Sequence, residues 1–154
     1  MLDQNTSAQL KTLLQRLESP IEIVATLNGS DKSDKIKELV TEVAALSDQV
    51  TARFDGTNSR APSFGIAKVG EQPRVNFAGL PMGHEFTSLI LALLQVSGYA
   101  PKVSDEVLAQ IKGLNLTADF DVFVSLSCHN CPDVVQALNL IAINNPGTTA
   151  TMID

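Results

Sequence analysis

The chain contains two cysteines, Cys128 and Cys131, separated only by His129 and Asn130. A secreted protein held together by disulfides spreads several cysteines along its sequence, whereas a lone C-x-x-C pair is typical of thiol–disulfide exchange. Exchange needs one cysteine that attacks a disulfide and a second that resolves the mixed disulfide. The number and spacing of the cysteines therefore predict a redox-active dithiol.

The dithiol lies between a predicted strand at 121–126 and a predicted helix that begins at Cys128 and runs to about Asn144. A helix N-terminus carries unpaired N–H groups and a positive partial charge, which stabilise a thiolate. Cys128, nearer the turn, is predicted to be the attacking nucleophile, and Cys131, one turn later, the resolving thiol. A protonated His129 ring close to the sulfur would favour the Cys128 thiolate further.

Other interpretations of this cysteine pair stay open at this point. A structural zinc site needs four ligands, and only His129 and His84 are there to complete one, so we predict no metal. A disulfide with a purely structural role would close too short a loop to stabilise the chain much. The cysteines are also compatible with a chance buried pair, and His129 with an exposed side chain that barely affects the dithiol.

Hydrophobic spacing and turn residues predict the elements around the dithiol. The predicted helices cover residues 7–18, about 31–46, about 86–97, 104–114 and 128–144. The predicted strands cover residues 21–27, 50–55, 63–67, 74–78, 121–126 and 148–154. Strands that alternate with helices through short connections indicate right-handed parallel units in an α/β protein.

The sequence also repeats itself, because residues 24–55 align with residues 123–154 without a gap. In this alignment Gly29 and Lys32 take the positions of Cys128 and Cys131. We therefore predict a duplicated fold in which only the second copy carries out thiol chemistry. The matched pairs are Leu27 with Leu126, Asp34 with Asp133, Leu39 with Leu138, and Asp55 with Asp154.

Composition excludes several classes of partner. The net charge of -6 argues against nucleic acid, which needs a basic surface. The N-terminus lacks the basic and apolar regions of a signal peptide, and the longest apolar run, Leu89–Leu94, is too short to span a bilayer. We therefore predict a cytoplasmic protein without a membrane partner.

Two strings carry a resemblance to a known family: SLSCHNCPDVVQALNL at Ser125–Leu140 and GHEFTSLILALL at Gly83–Leu94. Both resemble the N-terminal domain of the F subunit of alkyl hydroperoxide reductase, the NADH-dependent reductase of a bacterial peroxiredoxin. The resemblance implies a thioredoxin-like, three-layer α/β/α fold in two tandem repeats. The first repeat would cover residues 1–100 without a dithiol, and residues 101–154 would form the start of a truncated second repeat.

The resemblance implies an oxidoreductase that works as one station of an antioxidant electron relay. NADH would reduce FAD, FAD a dithiol in the flavoprotein part, and that dithiol the Cys128–Cys131 pair, which then reduces the peroxiredoxin subunit. It also implies a role near the dithiol for Glu85, as a proton acceptor or a group that tunes the pKa of the thiols. The alternative is an exposed glutamate favoured by the helix dipole. Pro62, which precedes the third strand, would carry the cis peptide bond of thioredoxin folds.

The chain departs from the family at its end, because the second repeat lacks its hairpin and last helix. No G-x-G-x-x-G motif follows a strand, so we expect no cofactor in this chain, with FAD and NADH bound by a flavoprotein domain of the same polypeptide. We expect a fragment of a longer protein, a homodimer at full length, with one strand edge and one face of the last helix uncovered. A stand-alone glutaredoxin-like or disulfide-isomerase-like protein and a non-catalytic docking domain are the alternative functions.

Overall fold

The computed structural model describes residues 1–154, which form five α-helices, one 3-10 helix and six strands. The helices are α1 (Gln4–Leu14), α2 (Asp31–Ala45), α3 (Phe86–Val96), α4 (Asp105–Lys112) and α5 (Cys131–Asn144), and the 3-10 helix is Gly83–Glu85. The strands are β1 (Ile21–Thr26), β2 (Val50–Arg53), β3 (Ser63–Lys68), β4 (Val75–Ala78), β5 (Ala118–Phe123) and β6 (Thr148–Ile153). Every predicted helix and strand is present.

All six strands belong to one mixed sheet in the order β2-β1-β3-β4-β6-β5. β3 is antiparallel to its neighbours β1 and β4, and all other neighbouring strands are parallel. The two parallel units, β1–α2–β2 and β5–α5–β6, share this sheet because β4 pairs with β6, from Val75 opposite Ala150 to Ala78 opposite Ile153. The division of the chain at residue 100 stays a prediction, since one sheet runs through both parts.

A single hydrophobic core lies between one face of the sheet and four of the helices. Ile23, Phe64, Phe77 and Met152 face it from four neighbouring strands, and the rings of Phe64 and Phe77 stack with centroids 5.3 Å apart. Buried positions recur every three or four residues in the helices, which is the spacing of one helical face. The helical members are Leu10, Leu14, Ile36, Leu39, Val40, Val43, Leu89, Ala92, Leu93, Leu94, Val135 and Ala142.

Successive residues of a strand point to opposite faces of the sheet. The side chains on the face away from the core are more polar than those that face the core. These include Glu22, Thr26, Asn76, Asp121, Thr149 and Thr151. The segment 54–62, which joins β2 to β3, is bonded to the end of β1 through the Gly56 N–H and the Ala25 carbonyl (3.0 Å). From the same segment Arg60 reaches Asp121 of β5 in an ion pair of 3.2 Å.

Two predicted boundaries next to the dithiol are corrected. β5 ends at Phe123 rather than Leu126, because its parallel register with β6 runs only to Phe123 opposite Ile153. α5 begins at Cys131 rather than Cys128. Pro132 explains this start, since proline has no N–H and is tolerated only in the first turn of a helix. In a helix that began at Cys128, Pro132 would lie beyond that turn.

α1 also differs from its prediction, since it covers Gln4–Leu14 rather than residues 7–18. The carboxylate of Asp3 accepts a hydrogen bond from the Thr6 N–H at 2.7 Å and so caps the helix. The helix therefore begins at Gln4, three residues before the predicted start at residue 7.

The helix face that we expected to be uncovered is covered in part. Val135 of α5 is buried in the core and Leu138 packs against it, whereas Val134 is half exposed. β5 is an edge strand with β6 as its one neighbour, and Phe123 at its end is 72% exposed. No helix of the structure combines the length and the apolar character needed to cross a bilayer.

Candidate functional site

The site lies at the edge of the sheet where the parallel strands β4, β5 and β6 end. In α/β proteins functional groups gather at this edge, because the loops after parallel strands meet there. The loop after β4 leads into the 3-10 helix, and residues 124–130 lead from β5 into α5. Two segments distant in the sequence therefore lie side by side.

Cys128 and Cys131 form a disulfide, with their Cα atoms 5.5 Å apart. Both residues are partly exposed, and the protein has no free cysteine. The predicted pair is thus close enough to be oxidised and reduced reversibly, and a reagent can approach it from solvent.

The sulfur of Cys128 lies at the start of the helix that follows, two residues before its N-cap Asn130. The N–H of Cys131 donates to Cys128 Sγ at 3.2 Å, and the N–H of Cys128 donates to the carbonyl of Ser125 at 2.9 Å. Cys131 is the first residue of α5, so its N–H is one of the groups at a helix start that have no partner within the helix. The donor and the helix dipole both favour negative charge on this sulfur after reduction.

The turn before α2, the serine turn, is built differently. Ser30 is the N-cap of α2, and its Oγ accepts a hydrogen bond from the N–H of Ser33 at 3.2 Å. The buried positions of the two helices keep the predicted alignment, since Ile36 matches Val135 and Val43 matches Ala142. This agrees with the prediction that Gly29 and Lys32 take the positions of the cysteines.

The strand registers show that the two units differ in length by one residue. Val50 pairs with Ile21, whereas its aligned counterpart Thr149 pairs with Asp119. The gapless alignment would have required Phe120, so the second unit holds one more residue between its paired strand positions.

The 3-10 helix is attached directly to the loop that carries the dithiol. The N–H of His84 donates to the carbonyl of Leu126 at 3.2 Å. Gly83 has a φ of +57°, and a Cβ at this position would lie 3.0 Å from the same carbonyl oxygen. A side chain there would be strained, so glycine allows the close approach of the two segments.

The imidazole rings of His84 and His129 are in contact, with centroids 4.5 Å apart and planes inclined by 55°. Both residues are exposed. The sequence suggested that His129 could be an isolated exposed side chain, but its ring has a partner from the other part of the chain. The structure has no group of three or more His, Cys, Asp and Glu side chains positioned to bind a metal ion.

Glu85 is fully buried beneath this contact, so the interpretation of an exposed first-turn glutamate is wrong. Its Oε1 accepts a hydrogen bond from Ser88 Oγ at 2.7 Å, and Ser88 Oγ accepts one from Gln136 Nε2 of α5 at 3.2 Å. Its Oε2 is buried without a partner. Burial raises the pKa of the Glu85 carboxyl above its usual range, although the Ser88 hydrogen bond and the nearby His84 oppose the increase.

Sequence reasoning missed Ser88 and Gln136, and it considered His84 only as a metal ligand. Ser88 lies three residues after Glu85, a spacing that places two side chains on one side of a helical segment. That spacing was the available signal. Nothing in the sequence indicated Gln136 or the contact of His84, because both depend on how α5 packs beside the 3-10 helix.

The Ala61–Pro62 peptide bond is cis, as the family resemblance implied. It lies beside the serine turn, since the side-chain amide of Asn28 donates to the Ala61 carbonyl at 3.4 Å.

The chain is similar over its whole length to curated proteins named as the F subunit of alkyl hydroperoxide reductase. It is 49% identical to the one from Pseudomonas aeruginosa over 154 residues, and 50% identical to the one from Escherichia coli over 155. The chain spans about 30% of the length of these relatives. No family model matches the sequence.

Solved structures give the same result for the fold. The N-terminal domain of AhpF from Enterococcus faecalis superimposes with a TM-score of 0.89 at 27% identity, covering 100% of this chain and 80% of that one. A protein disulfide oxidoreductase from Aeropyrum pernix gives a TM-score of 0.79 at 18% identity, covering 99% of this chain and 76% of that one. The predicted thioredoxin-like α/β fold class is confirmed.

Proposed function

Because the chain belongs to the family of alkyl hydroperoxide reductase F subunits, with the N-terminal part of which it aligns from end to end, we propose that it transfers electrons to a peroxiredoxin. It takes two electrons from a dithiol in the flavoprotein part of the reductase and delivers them to the disulfide of the peroxiredoxin. The observation that carries this proposal is the partly exposed Cys128–Cys131 disulfide at the start of α5.

Cys128 is the nucleophile of the reduced domain. Its sulfur faces the N–H of Cys131 at 3.2 Å at the positive end of α5, and both features stabilise a thiolate. The thiolate attacks one sulfur of the peroxiredoxin disulfide. The partner S–S bond breaks, a new S–S bond joins Cys128 to the partner, and the other partner sulfur departs as a thiolate that takes up a proton.

Cys131 completes the transfer. After it loses its proton, its thiolate attacks Cys128 Sγ, the mixed disulfide breaks, and the second partner sulfur leaves as a thiolate. The peroxiredoxin gains two electrons and two protons, and the Cys128–Cys131 disulfide is restored. A dithiol of the flavoprotein part then reduces the Cys128–Cys131 disulfide by the same two steps, in which this disulfide is the one attacked.

Glu85 accepts the proton that Cys131 releases. Its carboxyl is buried at the segment bonded to the dithiol loop, and burial raises its pKa towards the range in which thiols ionise. Ser88 donates to Oε1, so Oε2 is the oxygen left to take the proton. His129 acts beside Cys128, where a protonated imidazole favours the thiolate.

FAD and NADH would belong to the flavoprotein part of the relatives. Neither turn between a parallel strand and its helix in this chain contains the glycine-rich motif that cradles a dinucleotide, so we propose no binding site for either group here. The pair of closely spaced cysteines is suited to the reducing cytoplasm, where we propose that the relay operates. A homodimer of the full-length protein stays a prediction.

The test is NADH consumption in the presence of peroxide, with the full-length reductase and its own peroxiredoxin. The wild-type protein should sustain turnover, Cys128→Ser should abolish it, and Cys131→Ser should accumulate a mixed disulfide with the peroxiredoxin. Ser59→Ala, at an exposed position of the 54–62 segment, is the matched control and should behave as the wild type.

Two outcomes would contradict the proposal. Turnover that survives Cys128→Ser would indicate a docking domain without thiol chemistry. Equal rates with arbitrary disulfides and with the peroxiredoxin would instead indicate a general glutaredoxin-like or isomerase-like activity.

A further inference from the structure

The two histidines of the chain, His84 and His129, are the only imidazoles available to the dithiol, and their rings touch. His129 follows the nucleophile Cys128 directly, whereas His84 comes from the 3-10 helix that precedes α3. The centroid distance of 4.5 Å makes this a direct contact between the segment that carries the dithiol and the earlier part of the chain.

The main chain anchors the segment that carries the His84 ring. The N–H of His84 is bonded to the carbonyl of Leu126, two residues before Cys128, and Gly83 packs against the same carbonyl. The next residue, Glu85, is fully buried, which anchors the segment from its other side. His129, by contrast, is exposed and makes no side-chain hydrogen bond, so the His84 ring is what restricts its rotation.

We propose that His84 is a positioning residue for the dithiol: its ring holds the His129 ring beside Cys128, and the two imidazoles act as one unit that favours the Cys128 thiolate. This inference rests on the proposed function, in which the Cys128 thiolate begins the exchange. A protonated imidazole near the sulfur favours the thiolate, and the contact between the two rings keeps the His129 ring on the dithiol side.

Few other ionisable groups surround the pair. Cys128 and Cys131 lie on the dithiol side, Asp133 lies in the first turn of α5, and Glu85 is the acid of the 3-10 helix. On β5, the Asp121 carboxylate is paired with Arg60. Glu85 senses the pair as well, because His84 is one of the groups that oppose the burial-driven increase in the pKa of its carboxyl.

The experiment measures the rate at which iodoacetamide alkylates Cys128, from about pH 4 to pH 9, a range that spans imidazole and thiol titration. The full chain is used in the Cys131→Ser background, in which Cys128 is the one thiol left. The variants are His84→Ala, His84→Phe, His129→Ala and the double alanine variant, with Thr87→Ala at an exposed position of α3 as the matched control. Thermal unfolding of each variant establishes that it is folded.

We expect His84→Ala to slow alkylation at neutral pH roughly threefold to tenfold and to move the rise of the rate to higher pH. His129→Ala should have at least the same effect, and the double variant should be no slower than His129→Ala, because His84 acts through His129. His84→Phe keeps a ring against His129 and should recover most of the wild-type rate. Thr87→Ala should match the wild type.

A His84→Ala profile that superimposes on the wild-type profile would overturn the inference. So would a double alanine variant whose alkylation is slowed by the product of the two single effects. His84→Phe behaving as His84→Ala would show that ring contact is not the property that matters. Alkylation requires no partner protein. Failure to reduce a peroxiredoxin together with the expected profiles would therefore refute the proposed function and leave the role of His84 standing.

Discussion

The turns before α2 and α5 hold similar hydrogen bonds and differ in chemistry. In the first turn Ser30, the N-cap of α2, accepts the N–H of Ser33 at 3.2 Å. In the second turn the sulfur of Cys128, two residues before the N-cap of α5, accepts the N–H of Cys131 at 3.2 Å. Both turns follow a parallel strand and open a helix. The helix N-terminus therefore offers the same stabilisation of negative charge at both places.

The surroundings of the two turns explain why only one can be reactive. Around Ser30 the polar atoms bond to one another: its hydroxyl donates to Asn28 Oδ1 at 2.5 Å, and the Asn28 N–H donates to Ser33 Oγ at 3.0 Å. Ser33 is buried. The cysteines are partly exposed, and the neighbouring imidazoles are free of side-chain hydrogen bonds. The positive end of a helix supports thiol chemistry only where an ionisable side chain is also accessible from solvent.

The largest expected difference between the turns is in exchange activity. Cys128→Ser should lower the rate of peroxiredoxin reduction by roughly a thousandfold or more, because a serine hydroxyl does not become an anion at neutral pH. Ser30→Ala should leave that rate within about twofold, since Ser30 acts only on local structure. NADH consumption by the full-length protein measures both. A large loss in a folded Ser30→Ala protein would mean that the two turns are functionally coupled.

The capping role of Ser30 predicts a smaller effect on stability. Ser30→Ala leaves the Ser33 N–H without its partner and should lower the free energy of unfolding by about 1 kcal/mol, within the range of other N-cap substitutions. Urea unfolding measures this change, with the exposed Ser59→Ala as control. Equal stability of the two variants would show that the hydrogen bond contributes nothing.

Glu85, in the segment bonded to the dithiol loop, gives the stability of the protein a dependence on pH. Burial raises the pKa of its carboxyl in the folded protein, so its stabilising contribution is complete below the pKa of the unfolded chain and is lost as the pH rises through the raised value. Glu85→Gln cannot ionise. Its free energy of unfolding should therefore rise relative to the wild type between about pH 4 and pH 7.

Urea unfolding at both pH values measures this difference, and Glu71→Gln, an amide at an exposed position, is the control. A wild-type protein that gains stability over Glu85→Gln as the pH rises would reverse the sign and exclude a buried, protonatable carboxyl.

The smallest expected effect concerns the ion pair between Arg60, near the serine turn, and Asp121 of β5. Both side chains are nearly half exposed, so Arg60→Ala should change the free energy of unfolding by no more than about 0.5 kcal/mol. Urea unfolding at low and high salt measures it. A loss above about 1 kcal/mol would mean that this contact joins the segment 54–62 to β5 more strongly than a surface ion pair does.

Much of the fold followed from local patterns. The apolar spacing of α2 and α3 and the apolar runs of the strands depend on residues close in sequence, so their elements were predicted nearly to the residue. The start of α5 was misplaced by three residues, although Pro132 carried the signal for it. The pairing of β4 with β6 was not predictable, because β4 is short and each of its residues pairs with one 75 positions later.

The sequence by itself determined the dithiol, since two cysteines three apart before a helix define both its chemistry and its place in the chain. It also indicated a second, silent turn of the same kind. Only the tertiary structure decided that Glu85 is buried and that the His84 ring lies against the His129 ring. The reason is physical: local spacing specifies helices and turns, whereas burial and ring contacts arise only when β4, β6 and α5 pack together and bring distant segments to one edge of the sheet.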